Sequence, residues 1–268
     1  MTFSSLAQTL DQLLTLMRHV GHTEVMPHFL RTGFDLKADG SLLTQADLAS
    51  QAALQSALPR LILAPVLGEE MVPEEQQLLW QANPQGLWIV DPIDGTTNFA
   101  HGIPYFALSV AFFQHGRPLL GAVYNPVNDE MFYASTKGGA YLNGQRLPIT
   151  RPVASLQDAV AGLDVKKIAG RLPTRLLTNM PYSSQRTFGA STLDWCYLAA
   201  GRLDVYVHGG QKLWDYAAGS LILAEAGGQM ASLYHPDYWQ DDVWQRSVVA
   251  ARDPHLFSAW SAWINANQ

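Results

Sequence analysis

Two aspartates three residues apart, Asp91 and Asp94, lie in the segment Trp88 to Phe99, WIVDPIDGTTNF. An apolar run leads into Asp91, Pro92 fixes a turn, and Gly95 opens into Thr96, Thr97 and Asn98. Carboxylates so spaced around a turn converge on cations. Pro92 lacks an N–H and restricts φ, which makes the Ile93 carbonyl a further oxygen ligand in a fixed direction. Gly95 allows close approach to the backbone, and N–H groups at the start of a following helix favour an anion. Cations and a phosphate would then meet at one turn. With no thiolate cluster and no HxxxH pair to suggest zinc, the all-oxygen set points to magnesium.

Further carboxylates come from Gly68-Glu69-Glu70 and from Trp214-Asp215, which precedes Tyr216-Ala217-Ala218-Gly219. Each also has a purely structural reading. Asp47 stands three residues after Thr44 with capping-box spacing, and Asp215 reads equally as a helix N-cap. Glu69 and Glu70 also begin an acidic run that continues to Glu74 and Glu75. The conjunction around Asp91 and Asp94 is what points to chemistry.

The elements that must position these groups divide the chain in two. Leu6, Leu10, Leu13, Leu14 and Met17 recur at helical spacing, which reads as an amphipathic helix and not as a signal peptide. Gly33 to Ser41 reads as a loop before a helix from about Thr44 to Leu58. Leu61 to Leu67 and Gly86 to Val90 read as buried strands ending in acidic clusters. From Phe106 to Leu147 the pattern is a meander: Ala107 to Phe113, Leu119 to Tyr124, Met131 to Ala134 and Ala140 to Leu142. A turn at His115-Gly116 and a tight hairpin at Asn143-Gly144 punctuate it. Past Arg151-Pro152 strands alternate with helices: strands near Ala159 to Leu163, Val205 to His208 and Ser247 to Ala250, helices near Leu193 to Ala200, Asp215 to Ala226 and from Pro254. The expected organisation is an antiparallel-sheet half over residues 1–150 and an α/β half over 151–268, with a cleft between them.

Composition narrows the partners. The 268 residues are 48% hydrophobic and 15% charged, which excludes disorder as the main state. A net charge of -6 gives no general cationic field for a nucleic-acid backbone, so any phosphate must be met by a focused site. The longest uncharged apolar stretch, near Ile103 to Phe113, is about half of the ~20 residues a spanning helix needs. No membrane association is expected. One cysteine, Cys196, forms neither an internal disulfide nor a multi-cysteine zinc site, and a cytoplasmic location is the default. Cys196 sits among Leu193, Trp195 and Leu198 and reads as core; His101 reads as packing or surface. Lys166, Lys167, Arg171 and Arg175 read as a surface cluster, with a use for some of them if the substrate carries extra negative charge.

The sequence resembles the inositol monophosphatase family, within the lithium-sensitive, magnesium-dependent phosphatases. The resemblance is carried by Gly68-Glu69-Glu70, the segment from Asp91 to Phe99, the hairpin Gly138 to Gly144, Gly189-Ala190-Ser191, Ala199 to Asp204 and Trp214 to Gly219, in the family's order. It implies an αβαβα layered sandwich, a homodimer, and hydrolysis of small phosphate monoesters with two to three magnesium ions. Carried over, Glu69, Asp91 and the Ile93 carbonyl would hold one metal, and Asp91, Asp94 and Asp215 a second, with Glu69 also facing a third. Thr96, supported by Asp47, would orient the attacking water, and the Gly95 and Thr96 N–H groups would receive phosphate oxygens. Lys37 matches a lysine near the metals.

Substrate choice is expected around Gly189, Ala190 and Ser191 and before Asp215. Inositol-preferring members carry a glutamate six or seven residues before that aspartate; here Val207-His208-Gly209-Gly210 stands there. His208 would read hydroxyls differently or favour a second anionic group. Related sugar or polyol phosphates are expected beside inositol monophosphate. Nucleotide 3′-phosphates, fructose bisphosphate and histidinol phosphate are alternatives, as is a regulatory binding protein that contacts transcription machinery.

Overall fold

The computed structural model describes residues 3–31, 33–37, 40–149 and 153–268. Helices α1 (Phe3–Val20) and α2 (Gln45–Leu61) cover one face of a seven-stranded sheet ordered β3-β4-β5-β6-β7-β8-β9. Its strands are β3 (Val66–Gly68), β4 (Leu87–Asp94), β5 (Ala107–Gln114), β6 (Arg117–Asn125), β7 (Glu130–Ser135), β8 (Gly139–Leu142) and β9 (Gln145–Arg146). Only the β3–β4 pair is parallel. Helices α6 (Ser191–Ala200) and α7 (Leu213–Glu225) form the middle layer. Beyond them lies a five-stranded mixed sheet ordered β11-β10-β12-β14-β13: β10 (Val160–Asp164), β11 (Ser184–Arg186), β12 (Val205–Gln211), β13 (Gln229–Ala231) and β14 (Arg246–Ala251). Helices α5 (Leu172–Thr178) and α8 (Pro254–Asn267) close the far side. The result is the five-layered αβαβα sandwich that the resemblance implies.

Strand alternation explains the three cores between five layers. On β4, Trp88 and Val90 face α1 and α2, while Leu87 and Ile89 face the middle helices. On β12, Tyr206 faces the middle helices, while Val205 and Val207 face α5 and α8. A strand buried on both faces carries an unbroken apolar run with period-2 sorting. Cys196 is fully buried in the middle layer, as expected.

Several boundaries differ from the sequence reading. Helix α2 runs on through Pro59 to Leu61, so the strand expected from Leu61 begins only at Val66. Pro59 removes one N–H from the helix ladder near its end, and the helix stops two residues later. The segment read as a loop from Gly33 to Ser41 contains β1 (Asp35–Leu36), which pairs with β2 (Leu42–Leu43). Strand β4 does not stop at Asp91 but continues to Asp94, with a bulge in its pairing to β5 between the two aspartates. The short helix α4 (Thr96–Ala100) follows directly. Helix α3 (Pro73–Ala82) fills the β3–β4 crossover and was not anticipated, because its first turn reads simply as an acidic run. The expected division between residues 150 and 151 lies outside the described residues.

Candidate active site

The bulge on β4 decides the geometry. It lets Asp91 and Asp94, which strict alternation would send to opposite faces, turn toward one point. Asp215, on the first turn of α7, meets them there: carboxylate oxygens of Asp91, Asp94 and Asp215 all lie within 4.8 Å of one another. Asp91 is buried and its Oδ1 has no hydrogen-bond partner among the described residues. Three carboxylates crowded together, one of them buried with an orphaned oxygen, are costly unless a cation sits among them. The donor set is hard oxygen, so the residues fit magnesium.

Two of the three carboxylates are held from behind. Thr192 at the start of α6 donates its N–H (2.6 Å) and its hydroxyl (2.7 Å) to Asp94 Oδ2. Lys212 donates its N–H to Asp215 Oδ2 at 2.8 Å, so Asp215 serves its own helix as a cap and still faces the cluster. Glu69 follows β3, where its N–H donates to the Val90 carbonyl (3.1 Å) and Gln76 donates to the Gly68 and Glu69 carbonyls (2.9 and 3.1 Å). Both readings of Asp47 hold together. It completes the Thr44 capping box, accepting from the Thr44 N–H at 2.7 Å, and its Oδ1 accepts from Thr96 Oγ1 at 3.4 Å. The Thr96 hydroxyl is shared with the Ile93 carbonyl at 3.0 Å, and Ser50 donates to the Pro92 carbonyl at 3.1 Å.

Electrostatics follow from this crowding. Burial, then the charges of Glu69, Asp94 and Asp215, push the Asp91 carboxyl far above the ordinary range. Asp215 is raised by burial and by Asp94 and Glu69. Asp94 is pushed up to about 6 by burial against the Thr192 hydrogen bonds, and Asp47 to about 6 by burial against those from Thr44. Lys37, between β1 and β2, pairs with Glu69 (2.9 Å) and Glu70 (2.6 Å). Burial lowers its pKa, but the two glutamates outweigh that and raise it overall.

A cleft of ≈ 310 Å³ opens beside the cluster. Glu69, Asp94, Asp215, Gly95, Thr96, Gly189, Ala190, Ser191 and His208 all line it. Gly95 has φ +87°, and a Cβ there would sit 3.0 Å from both Ala190 Cβ and the Tyr105 carbonyl oxygen, so the metal turn and the Gly189–Ser191 loop abut. Asn98 ties them, donating from Nδ2 to the Tyr105 and Phe188 carbonyls at 2.8 Å each. On the opposite wall His208 Nδ1 accepts from the Gly210 N–H at 3.1 Å, leaving the proton on Nε2, which lies 3.6 Å from Asp164 Oδ2. Burial drives the His208 pKa down to about 4 although Asp164 pulls it up. The ring is therefore neutral at pH 7 and itself supplies no charge for a second anionic group.

Sequence reasoning missed several contributors. Lys166 and Lys167, read as surface, line the cleft because the chain turns back over Gly209 as it leaves β10; a Cβ on Gly209 would lie 2.6 Å from backbone atoms of Lys167 and Ile168. Arg171 keeps to the surface, bonded to the Gln268 carbonyl. Thr192 carried one signal, its place next to Gly189-Ala190-Ser191 at a helix start. Asp164 carried none. His101 stacks on Phe34 and bonds the Thr97 carbonyl, in line with a packing role.

Comparison with known proteins places this geometry. The model of the inositol monophosphatase family matches residues 10–265. An inositol-1-monophosphatase of Mesorhizobium japonicum is 36% identical over 227 residues, 81% of each chain, and a Nus factor SuhB of Pasteurella multocida is 35% identical over 199 residues, 72% of each. An IMPase structure from Thermotoga maritima superposes with a TM-score of 0.81 at 29% identity, covering 96% of each chain. A match across nearly the whole length, on a chain with this fold and this acidic cluster, means that the protein belongs to the inositol monophosphatase family, a family of phosphoric monoester hydrolases.

Proposed function

We propose that this protein hydrolyses small phosphate monoesters, inositol monophosphate or a related sugar or polyol phosphate, with magnesium held by the acidic cluster. The observation that carries the reading is the convergence of Asp91, Asp94 and Asp215 within 4.8 Å, with one oxygen orphaned. Glu69, Asp91 and the Ile93 carbonyl would hold one ion, Asp91, Asp94 and Asp215 a second, and Glu69 would face a third. When bound, magnesium would lower the pKa of a water and neutralise phosphate charge for an in-line displacement.

The chain's own groups do the rest. Asp47 accepts from the Thr96 hydroxyl, which leaves the Thr96 oxygen lone pairs to accept from a water and aim it. Gly95 and Thr96 N–H groups would receive phosphate oxygens, and Lys37, now paired with Glu69, would lie near them. Gly189, Ala190 and Ser191 would line the alcohol's path. His208, neutral and protonated on Nε2, would donate to a hydroxyl of the alcohol, while Lys166 and Lys167 on the same cleft would serve any second anionic group. A regulatory role is the second reading, supported by the 35% identity to a relative named a Nus factor. The family resemblance implies a homodimer, which sedimentation tests, and the single cysteine is compatible with a cytoplasmic location. Among the described residues no helix is long and apolar enough to cross a membrane.

The test is phosphate release from a panel of inositol, sugar, polyol and nucleotide phosphates with magnesium, repeated with Asp94→Asn. Activity that survives the substitution unchanged refutes the metal assignment, and a wild-type protein inert on every ester promotes the regulatory reading. Lithium is expected to inhibit by taking a weakly held magnesium position. A rate unmoved by tens of millimolar lithium counts against that.

A further inference from the structure

Away from the acidic cleft, and sharing no lining residue with it, Trp80 on α3, Phe113 on β5, Tyr216 on α7 and Trp239 wall a cavity of ≈ 210 Å³. Two arginines line it, exposed Arg117 at the start of β6 and buried Arg246 at the start of β14. Arg246 is only 4% exposed. Its Nη2 donates to the Asp241 carbonyl at 2.9 Å, while Nε and Nη1, both buried, have no hydrogen-bond partner among the described residues. Arg18, Arg202 and Arg252 form ion pairs with carboxylates among the described residues; neither Arg117 nor Arg246 does.

The nearby carboxylates are engaged elsewhere. Asp241, which also lines the cavity, accepts from the Asp242 N–H at 2.9 Å and from Ser247 Oγ at 3.3 Å. Asp237 accepts from the Trp239 N–H and from Gln240. Aromatic faces meet part of the cationic demand: Arg246 Cζ lies 4.7, 5.0 and 5.2 Å from the ring centroids of Tyr216, Tyr238 and Trp239, and Arg117 Cζ lies 4.6 Å from that of Trp239. Burial lowers the Arg117 pKa, Asp237 raises it and the Arg246 charge lowers it again. Two like charges border one aromatic space, and a buried guanidinium without an anion is costly.

We propose that this cavity is a binding site for a small ring-bearing carboxylate, its ring against the tryptophan walls and its carboxylate toward Arg117 and Arg246. A planar guanidinium matches a carboxylate in geometry as well as charge, and the indole and phenyl walls supply apolar contact for a ring. Room for a single ring with its carboxylate is what ≈ 210 Å³ provides.

Titration calorimetry of the intact protein with sodium benzoate tests this, run with EDTA present so that no metal-bound carboxylate contributes, and beside benzamidine, which has the same shape and the opposite charge. Saturable uptake of one benzoate per chain is expected, with none of benzamidine. Arg117→Met should weaken benzoate on the order of tenfold, the scale of a lost charge-assisted contact. Arg246→Met should abolish uptake; Arg246 also clamps three rings, so circular dichroism checks its folding, and Arg117→Met alone decides the matter if it unfolds. Absence of saturable benzoate uptake, equal uptake of benzamidine, uptake that requires magnesium, or uptake unchanged in Arg117→Met each overturns the site.

Discussion

Asp91 has 1% of its surface exposed, with four other carboxylates raising its pKa and none of the described cations in contact. Function and stability pull against each other at such a position, because the charges that would bind metal repel one another without it. Asp91→Asn is therefore expected to raise the melting temperature of the metal-free protein while lowering phosphate release by more than ~10²-fold. Calorimetry and a phosphate assay on one preparation check both; a melting temperature that falls would mean the metal-free carboxylates are not in conflict. Thr192 acts one step further out. Thr192→Val keeps the N–H bond to Asp94 but removes the 2.7 Å hydroxyl bond, and a weakening of magnesium affinity by about 10-fold or more is expected, the usual scale for a group that orients a ligand. Magnesium titration of the rate reads it, and an unchanged midpoint would show Asp94 to be oriented without that hydroxyl.

At the scale of elements, the site depends on two turns pressed together. The segment from β4 into α4 supplies Asp91, Asp94, Gly95 and Thr96, and the loop before α6 supplies Gly189 to Ser191. Gly95 serves both the left-handed backbone and the close approach, since a Cβ would strike Ala190 and the Tyr105 carbonyl. Gly95→Ala is expected to cost about 1–2 kcal/mol from the positive φ alone. It should also part the two turns, so catalysis should fall by more than the stability loss explains. A Tm drop of a few degrees with a rate lowered at least ~10-fold below the melting range is the expected pair; a fully active alanine variant would show that the contact is not needed.

For the molecule as a whole, Asp215 arrives from beyond the middle of the chain to meet two aspartates of the first sheet, so a cation there ties the middle layer to that sheet. The sign of the pH effect follows from the raised carboxyl groups. Asp94 and Asp47, pushed to about 6 from an ordinary value near 4, bind protons more tightly when folded. Their contribution to stability is present at low pH and is lost as pH rises through about 6, because the folded state then gives up protons it held better than the unfolded chain. Without divalent ions the melting temperature should fall between pH 5 and 7.5, and added magnesium should raise it more at pH 7.5 than at pH 5. Scanning calorimetry across that interval decides it, and metal-free stability that climbs with pH would contradict the clustered-carboxylate account.

The residue string by itself determined a sheet-rich half, an α/β half and the donor chemistry of the cluster, while the order of the five layers came with the family resemblance. Short apolar runs fix buried strands, the pair Asn143-Gly144 fixes a hairpin, and Asp91-Pro92-Ile93-Asp94-Gly95 fixes hard oxygen donors around one turn. These are local properties, set by backbone sterics and side-chain type within a few residues. Tertiary structure alone decided which distant groups face that turn. Thr192 behind Asp94, Asp164 beside His208 and Lys166 and Lys167 over the cleft come together only because β10, β12 and the start of α6 meet at one edge of the middle layer. The same packing decided that His208 stays neutral, since its charge depends on burial, which no spacing of residues records.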